Sequence, residues 1–99
     1  MEEKLLQIIN HYGVLPQLKY FQSEVFELNE AIISCEYDDF SYYDEVCKSN
    51  KNHITEELAD VMVMLCQFKE YYGIDGKEIM RIMNEKIDRQ IGRIEKENE

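Results

Sequence analysis

Proline and glycine are scarce in this sequence, with one proline and four glycines among 99 residues. Such residues interrupt helices most strongly, so their scarcity favours long helices. Apolar and polar residues do not alternate over any stretch in the way that half-buried strands require. No apolar run approaches the roughly 18–20 residues that a membrane span needs. These absences predict an all-α protein without a membrane partner.

Positive charge is also scarce, since 11 lysines and arginines stand against 21 acidic residues and give a formal net charge of −10. The phosphate backbone of a nucleic acid would be repelled by such a chain, which excludes nucleic acid as a partner. An anionic substrate fits only if metal ions mediate the contact. The hydrophobic content of 44% is that of a globular protein.

Cysteine is limited to three residues, and no C-x-x-C motif occurs. An odd count without that motif argues against a disulfide framework and predicts a reducing, cytoplasmic location. A zinc site that combined these cysteines with His11 or His53 would have no recognised spacing.

The acidic start of the sequence and the short apolar run after it are not expected of a signal peptide.

A chain of this length is expected to form a single domain, residues 1–99. Four helices are predicted, with an aperiodic loop between the second and the third. The helices cover residues 2–11, about 16–35, from 52–55 to Gly73, and about 75–95, and the loop covers about 36–52, with room for one helical turn near 41–47. Together they predict an antiparallel bundle of four main helices.

The predicted core of this bundle is small. A chain of this size buries roughly 60–65% of its unfolded surface, so long amphipathic helices would favour completion of the bundle by dimerisation or tetramerisation. Asp75 and Glu78 resemble a capping box at the start of the fourth helix. The apolar stripe of that helix is expected to face inward, and it consists of Met80, Met83, Ile87, Ile91 and Ile94.

Two acidic pairs, Glu24/Glu27 and Glu57/Asp60, lie at the same edge of two apolar stripes. Each carboxylate directly precedes a stripe residue, and helix neighbours are about 100° apart. If the helices pack through these stripes, the four carboxylates converge, and convergent carboxylates typically bind hard cations such as Mg²⁺. The stripes are Leu18, Phe21, Val25, Leu28 and Ile32 in one helix and Ile54, Leu58, Val61, Leu65, Phe68 and Tyr72 in the other.

Spacing alone does not distinguish these pairs from a solvated acidic face. The same acid-x-x-acid spacing occurs at Glu27/Glu30, Glu36/Asp39 and Glu85/Asp88. Their position does distinguish them, because only Glu24/Glu27 and Glu57/Asp60 lie at the same edge of an apolar stripe. In addition, no lysine or arginine occurs between Glu24 and Cys47 or between Glu56 and Gln67, so no salt bridge within either helix can relieve the repulsion.

A basic stripe in the fourth helix carries the opposite charge. Lys86, Arg89 and Arg93 share one face and could hold phosphate oxygens. Alternatively, they could pair with acidic residues of the same helix, which are Glu85, Asp88 and Glu95.

A binding role is less defined for the remaining polar and aromatic residues. Gln17 could hydrogen-bond to a ligand, and several aromatic rings could stack on a ligand or pack at a dimer contact. These rings are Tyr12, Tyr20, Tyr37, Phe40, Tyr42 and Tyr43.

Three motifs resemble those of one family. They are Tyr12-Gly13 with Gln17-Leu18-Lys19 and Glu24-x-x-Glu27-Leu28, then Glu56-Glu57-Leu58-Ala59-Asp60-Val61, and then Asn84-Glu85-Lys86-Ile87-Asp88-Arg89. In this order and separation, over residues 12–93, they resemble the MazG-like all-α nucleoside triphosphate pyrophosphohydrolases, which are related to dimeric dUTPases. Ser23 stands where the family often has a further glutamate, and Gln90 stands where a second arginine is common.

The resemblance implies hydrolysis of a nucleoside triphosphate to the monophosphate and pyrophosphate, in a homodimer or homotetramer. It implies Mg²⁺, with Mn²⁺ as an alternative, bound by the catalytic acids Glu24, Glu27, Glu57 and Asp60. It also implies substrate contacts from Lys86 and Arg89, with Asn84 a weaker candidate. For a nucleotide substrate, Gln17 could hydrogen-bond to the base edge and the aromatic rings could stack on the base.

Two points stay open at this stage. Glu27, or Glu24 through a water, is a candidate base for the attacking water. The alternative function from a different class is a non-catalytic acidic helical module that binds a partner protein.

Overall fold

A computed structural model describes the backbone of residues 1–37 and 44–99 and the side chains of 1–37 and 50–99. Within these ranges it contains four α-helices and no strand, which confirms the all-α prediction. The helices are α1 (Glu2–Tyr12), α2 (Val14–Glu36), α3 (Asp44–Tyr71) and α4 (Gly76–Glu97). None of them is long and apolar enough to cross a membrane, as far as the described residues extend.

Two glycines in the left-handed region of φ define the turns. Gly13 has φ 95°, and α2 begins directly after it. Gly73 has φ 61° and ends α3 in a Schellman motif. In that motif the Ile74 amide donates to the Lys69 carbonyl (3.0 Å) and the Gly73 amide donates to the Glu70 carbonyl (3.1 Å). The predicted stop of the third helix is thereby confirmed.

The predicted cap of α4 forms only in part. The Asp75 carboxylate accepts a hydrogen bond from the Lys77 amide at 3.0 Å, as a helix N-cap should. Glu78 does not complete a capping box, because its carboxylate binds the Arg81 guanidinium instead.

The predicted start of the third helix at 52–55 is wrong, because α3 begins at Asp44. The predicted loop over 36–52 therefore does not hold from residue 44 onward. Residues 44–52 have no apolar period, but they also contain no proline or glycine that would stop a helix. Residues 38–43 of the predicted loop lie outside the described residues.

The core lies where α3 packs against α1 and α2. Phe21 of α2 meets Phe68 of α3 edge to face, with ring centroids 5.7 Å apart. Among the described side chains, the buried apolar residues are Leu5, Ile9, Ala31, Val61 and Met64. This core is thin for a chain of 99 residues.

The packed face of α2 differs from the predicted one. Its buried residues are Gln17, Glu24 and Ala31, each one position before a residue of the predicted stripe. Two of those stripe residues, Leu18 and Val25, are 42% and 39% exposed. The packed face therefore keeps Phe21 but is turned by roughly 60° toward Gln17 and Glu24. As a result, Glu24 lies inside the helix packing rather than at its edge.

Helix α4 buries none of its residues. The stripe from Met80 to Ile94 that was expected to face inward is exposed, and α4 makes little contact with the other helices in the described ranges. The radius of gyration is 17.4 Å, whereas a compact domain of 100 residues has about 13 Å. Helices α1 to α3 thus form the packed unit, and α4 extends from it.

Candidate functional site

Three of the four predicted metal-binding acids meet between α2 and α3. Glu24, Glu57 and Asp60 each offer one carboxylate oxygen, and these oxygens lie within 4.8 Å of one another. Glu24 is 5% exposed, Glu57 is half-buried and Asp60 is exposed. The rotation of α2 positions Glu24 against α3, while Glu57 and Asp60 lie one turn apart on α3. We refer to these three residues as the carboxylate cluster.

The carboxylate cluster contains unpartnered polar atoms. Oε2 of Glu24 and Oε2 of Glu57 are buried and have no hydrogen-bond partner among the described residues. The salt bridges in that part of the chain do not involve any of the three carboxylates. Buried charge without a partner is costly, and neighbouring carboxylates repel one another. A bound cation would relieve both costs, and an all-oxygen donor set fits Mg²⁺ or Mn²⁺.

Glu27, the fourth predicted ligand, is not part of the carboxylate cluster. Its side chain is exposed on α2, one turn beyond Glu24. The expected convergence of four acids is therefore observed for three. Because Glu27 follows Glu24 by three residues, it lies about 60° farther round α2 from the packed face and stays toward solvent.

Tyr20 lies beside the carboxylate cluster, one turn before Glu24 on α2. The pKa of its phenol is raised, first by a hydrogen bond to Glu24 and then by the negative charge of Glu24, by burial, and by the charges of Asp60 and Glu27. The phenol is protonated at neutral pH with or without this shift, because its ordinary pKa is about 10, so its hydroxyl is available as a donor to Glu24. The sequence indicated only a stacking role for this ring.

A cavity of about 530 Å³ opens between α1, α2 and α3 and shares Glu24 and Asp60 with the carboxylate cluster. This volume is typical of small-molecule sites. Its other polar lining residues are Gln17, Tyr20 and Gln67, and its apolar lining includes Ile8, Val63 and Met64. The cavity therefore has a largely apolar wall with a few polar groups, and the carboxylate cluster lies at one side of it.

A pair of amides forms part of the cavity wall. The Gln17 Nε2 atom donates to Gln67 Oε1 at 2.8 Å, and both side chains are buried, at 7% and 2% exposure. Gln67 Nε2 in turn contacts Met64 Sδ at 3.8 Å. Sequence reasoning named Gln17 but missed Gln67. The signal available for Gln67 was a polar residue between Met64 and Phe68 on the core side of α3.

Two of the six predicted stacking residues, Tyr12 and Tyr20, line the cavity. Tyr37 is exposed and does not line it. The other three, Phe40, Tyr42 and Tyr43, lie outside the described residues.

The predicted phosphate-binding residues lie on α4, away from the cavity lining. Asn84, Lys86 and Arg89 are exposed, and the structure does not bring them to the carboxylate cluster within one chain. The alternative in which the basic stripe pairs along its own helix is also not observed in the described structure. Instead, Glu85 binds Arg81 at 2.6 Å, and the ammonium of Lys86 and the guanidinium of Arg89 are left without an ion pair there.

Comparison with known proteins bears on this arrangement. The family model for the MazG nucleotide pyrophosphohydrolase domain matches residues 14–92. No curated protein and no solved structure gave a match. The matched range contains all of α2 and α3, most of α4 and every residue of the carboxylate cluster. The chain belongs to the MazG nucleotide pyrophosphohydrolase domain family.

Proposed function

We propose that the protein is a Mg²⁺-dependent nucleoside triphosphate pyrophosphohydrolase, which converts an NTP or dNTP and water to the NMP and pyrophosphate as nucleotide housecleaning. The family supports the reaction class. The observation that carries the proposal is the carboxylate cluster, with two buried unpartnered oxygens, beside a cavity of about 530 Å³.

Glu24, Glu57 and Asp60 would hold the cation, Mg²⁺ or alternatively Mn²⁺. When bound, such an ion neutralises triphosphate oxygens and lowers the pKa of a coordinated water. Glu24 and Glu57 each have one buried oxygen without a hydrogen bond, and these oxygens are the ligand atoms of the proposal. The protein thus presents its ligand atoms without first breaking internal hydrogen bonds.

Glu27 is the better of the two candidates for general base. It lies outside the carboxylate cluster and is exposed on α2, one turn from Glu24, so its carboxylate is not committed to the cation. In the proposed reaction it takes the proton of a water that attacks the α-phosphorus, and the α–β anhydride bond breaks to release pyrophosphate. Glu24 is committed to the cluster and is therefore the weaker candidate.

The substrate phosphates would be bound by Lys86 and Arg89, with Asn84 beside them. Because α4 extends from its own packed unit, we assign this contact to α4 of a second copy. The exposed apolar residues of α2, α3 and α4 support a homodimer or homotetramer, since one chain leaves them uncovered. The bundle of four main helices would then be completed between chains.

Gln17 would contact the base from the cavity wall. The cytoplasmic location and the organisation of residues 1–99 as a single domain stay predictions from the sequence.

The test is pyrophosphate release by the purified protein from a panel of NTPs and dNTPs, with and without Mg²⁺. We expect release from at least one nucleotide, only with the metal present. Absence of release from every nucleotide, together with no rise in melting temperature on adding Mg²⁺, would overturn the proposal and favour the non-catalytic interaction module.

A further inference from the structure

Apolar residues of α2 and α3 recur at alternating steps of three and four residues, which is the heptad pattern of helices that pack side by side. One set of them seals α2 against α3 within the chain, as in the contact of Phe21 with Phe68. The other set recurs every seven residues and is between 39% and 63% exposed. We refer to this second set as the stripe face. It consists of Leu18, Val25 and Ile32 of α2 and of Leu58, Leu65 and Tyr72 of α3.

The stripe face and the cavity lie on opposite sides of the layer that α2 and α3 form. Tyr20 of α2 and Val63 of α3 line the cavity, and no residue of the stripe face does so. Leu18 and Leu65 are each two residues away from one of these lining residues, which corresponds to about 160° around a helix. A chain that covers the stripe face therefore leaves the cavity open.

The other helices of the same chain do not cover the stripe face within the described residues. Helix α1 lies on the cavity side, where Ile8 and Tyr12 belong to the cavity lining. Helix α4 buries none of its residues. Six partly exposed apolar side chains on one surface are typical of a contact with another chain.

The charges of the protein favour a second copy as the occupant of this surface. The chain has a formal net charge of −10, yet no residue of the stripe face is charged. Two copies of an acidic chain repel each other least where they meet through uncharged surfaces. The 75 residues up to the start of α4 contain five lysines and arginines against 15 acidic residues, whereas α4 contains six against five. Helix α4 is therefore the part of one copy that attracts the packed unit of another.

The stripe face is also geometrically suited to pack on itself. Gln17 lies against Gln67. Glu24, which comes later in α2, lies beside Asp60, which comes earlier in α3. The two helices therefore run antiparallel. A twofold rotation about an axis along or across them then places each helix against an antiparallel helix of the second copy, as in a four-helix bundle.

We propose that the stripe face packs on the stripe face of a second copy, so that α2 and α3 of both chains form one four-helix bundle with the two cavities on its outer sides. This inference rests on the homo-oligomer of the proposed function and does not depend on the reaction. It differs from a bundle of α1 to α4 within one chain, because the same two helices are used twice.

Helix α4 belongs to the same contact between two chains in this arrangement. It begins at Gly76, four residues after Tyr72 of the stripe face, and the turn between them is closed by the Schellman motif at Gly73. It therefore leaves the packed unit at the edge of the bundle, next to the second copy. From there α4 reaches the acidic packed unit of that copy, which agrees with the phosphate contact assigned to it.

The test is the mass in solution, measured by light scattering coupled to size exclusion. The unmodified protein should have at least twice the single-chain mass of 11.9 kDa. Leu65→Asp puts one charge from each chain into the bundle, so the dissociation constant of the dimer should rise by at least about a hundredfold and the single-chain mass should appear. Asn52→Asp adds the same charge at an exposed position of α3 outside the stripe face and should leave the mass unchanged.

Two further samples make the assignment specific to this face. Val25→Asp tests the α2 half of the stripe face and should also give the single-chain mass, which keeps the test decisive if Leu65→Asp does not fold. An equimolar mixture of Leu65→Asp and Ile87→Lys should stay at the single-chain mass, because every pairing of these chains contains a damaged bundle or a damaged α4 contact. If α4 of a second copy covered the stripe face instead, this mixture would regain the dimer mass through one undamaged contact.

A dimer mass in the mixture, an unmodified protein of single-chain mass, or a dimer mass retained in Val25→Asp would overturn the inference. These outcomes are independent of the reaction. A dimer broken by Leu65→Asp, without pyrophosphate release from any nucleotide by the unmodified protein, would support the inference and contradict the reaction. Pyrophosphate release by an unmodified protein of single-chain mass would do the reverse.

Discussion

The packed unit of α1 to α3 and the extended helix α4 distribute polar and apolar groups in opposite ways. Inside the packed unit, Glu24 is 5% exposed and Gln67 is 2% exposed. Along α4, Met80 and Ile87 are 56% and 52% exposed. A monomer that is stable by itself would bury apolar residues such as Met80 and Ile87 and would expose polar residues such as Glu24. The difference agrees with the proposed cation site in the packed unit and with the proposed contact of α4 with a second copy.

The polar interior is costly in the absence of such a ligand. Glu24 and Glu57 each bury an oxygen without a partner, while only five apolar side chains of the described residues are buried. Departures from the usual burial pattern are expected at functional sites, where binding compensates for lost stability. The following changes test each side of the comparison, from the largest expected effect to the smallest.

The largest effect is expected from Asp60→Asn. This change removes a charged ligand from the carboxylate cluster and keeps the side-chain shape, so kcat/KM for pyrophosphate release should fall by about a hundredfold to a thousandfold. Glu56→Gln is the matched control, because Glu56 is an exposed neighbour outside the cluster. If Asp60→Asn retained more than half of the activity, the carboxylate cluster would not be the reaction centre.

An intermediate effect is expected from Ile87→Asp, which puts a charge into the exposed apolar stripe of α4. If a second copy covers this stripe, the dissociation constant of the oligomer should rise by at least about thirtyfold. Light scattering coupled to size exclusion should then report the single-chain mass of 11.9 kDa. Lys96→Gln changes the net charge equally on the opposite face of α4 and should leave the mass unchanged. A monomeric unmodified protein would contradict the interpretation of α4.

A smaller effect is expected from Arg89→Gln. Loss of one charge-assisted contact to phosphate should raise KM by about tenfold and leave the Mg²⁺-induced shift in melting temperature unaltered. Lys77→Gln removes the same charge near the start of α4, outside the proposed phosphate contact, and serves as the control. An equal rise of KM in both variants would mean that Arg89 acts only through the net charge of the protein and not through a direct contact with phosphate.

Much of the fold could be predicted from the sequence, because its signals are local. The glycine stop at Gly73 and the cap at Asp75 depend on residues within one or two turns, and both are observed. The start of α3 at Asp44 could not be predicted from apolar periodicity, because residues 44–52 have none. A helix without apolar periodicity can be predicted only from the absence of proline and glycine, and that absence is a weak signal.

The register of the candidate site could be predicted only in part. Leu18 and Val25 form a better apolar stripe than Gln17 and Glu24, yet the second set is the buried one. A helix with two faces gives no local indication of which face packs within the chain and which packs against another copy. The same ambiguity concealed Gln67, whose partner Gln17 lies 50 residues away in sequence.

The most direct measurement is the free energy of unfolding of the unmodified protein and of Glu57→Gln, each with and without Mg²⁺. Without the ion, Glu57→Gln should be more stable by about 1 kcal/mol, because one of the repelling carboxylates is gone. With Mg²⁺ at about a hundred times its dissociation constant, the unmodified protein should gain about 2.7 kcal/mol and the variant much less, so that the order reverses. A variant that is less stable without the ion, together with an unmodified protein that does not respond to Mg²⁺, would contradict a cation site at Glu24, Glu57 and Asp60.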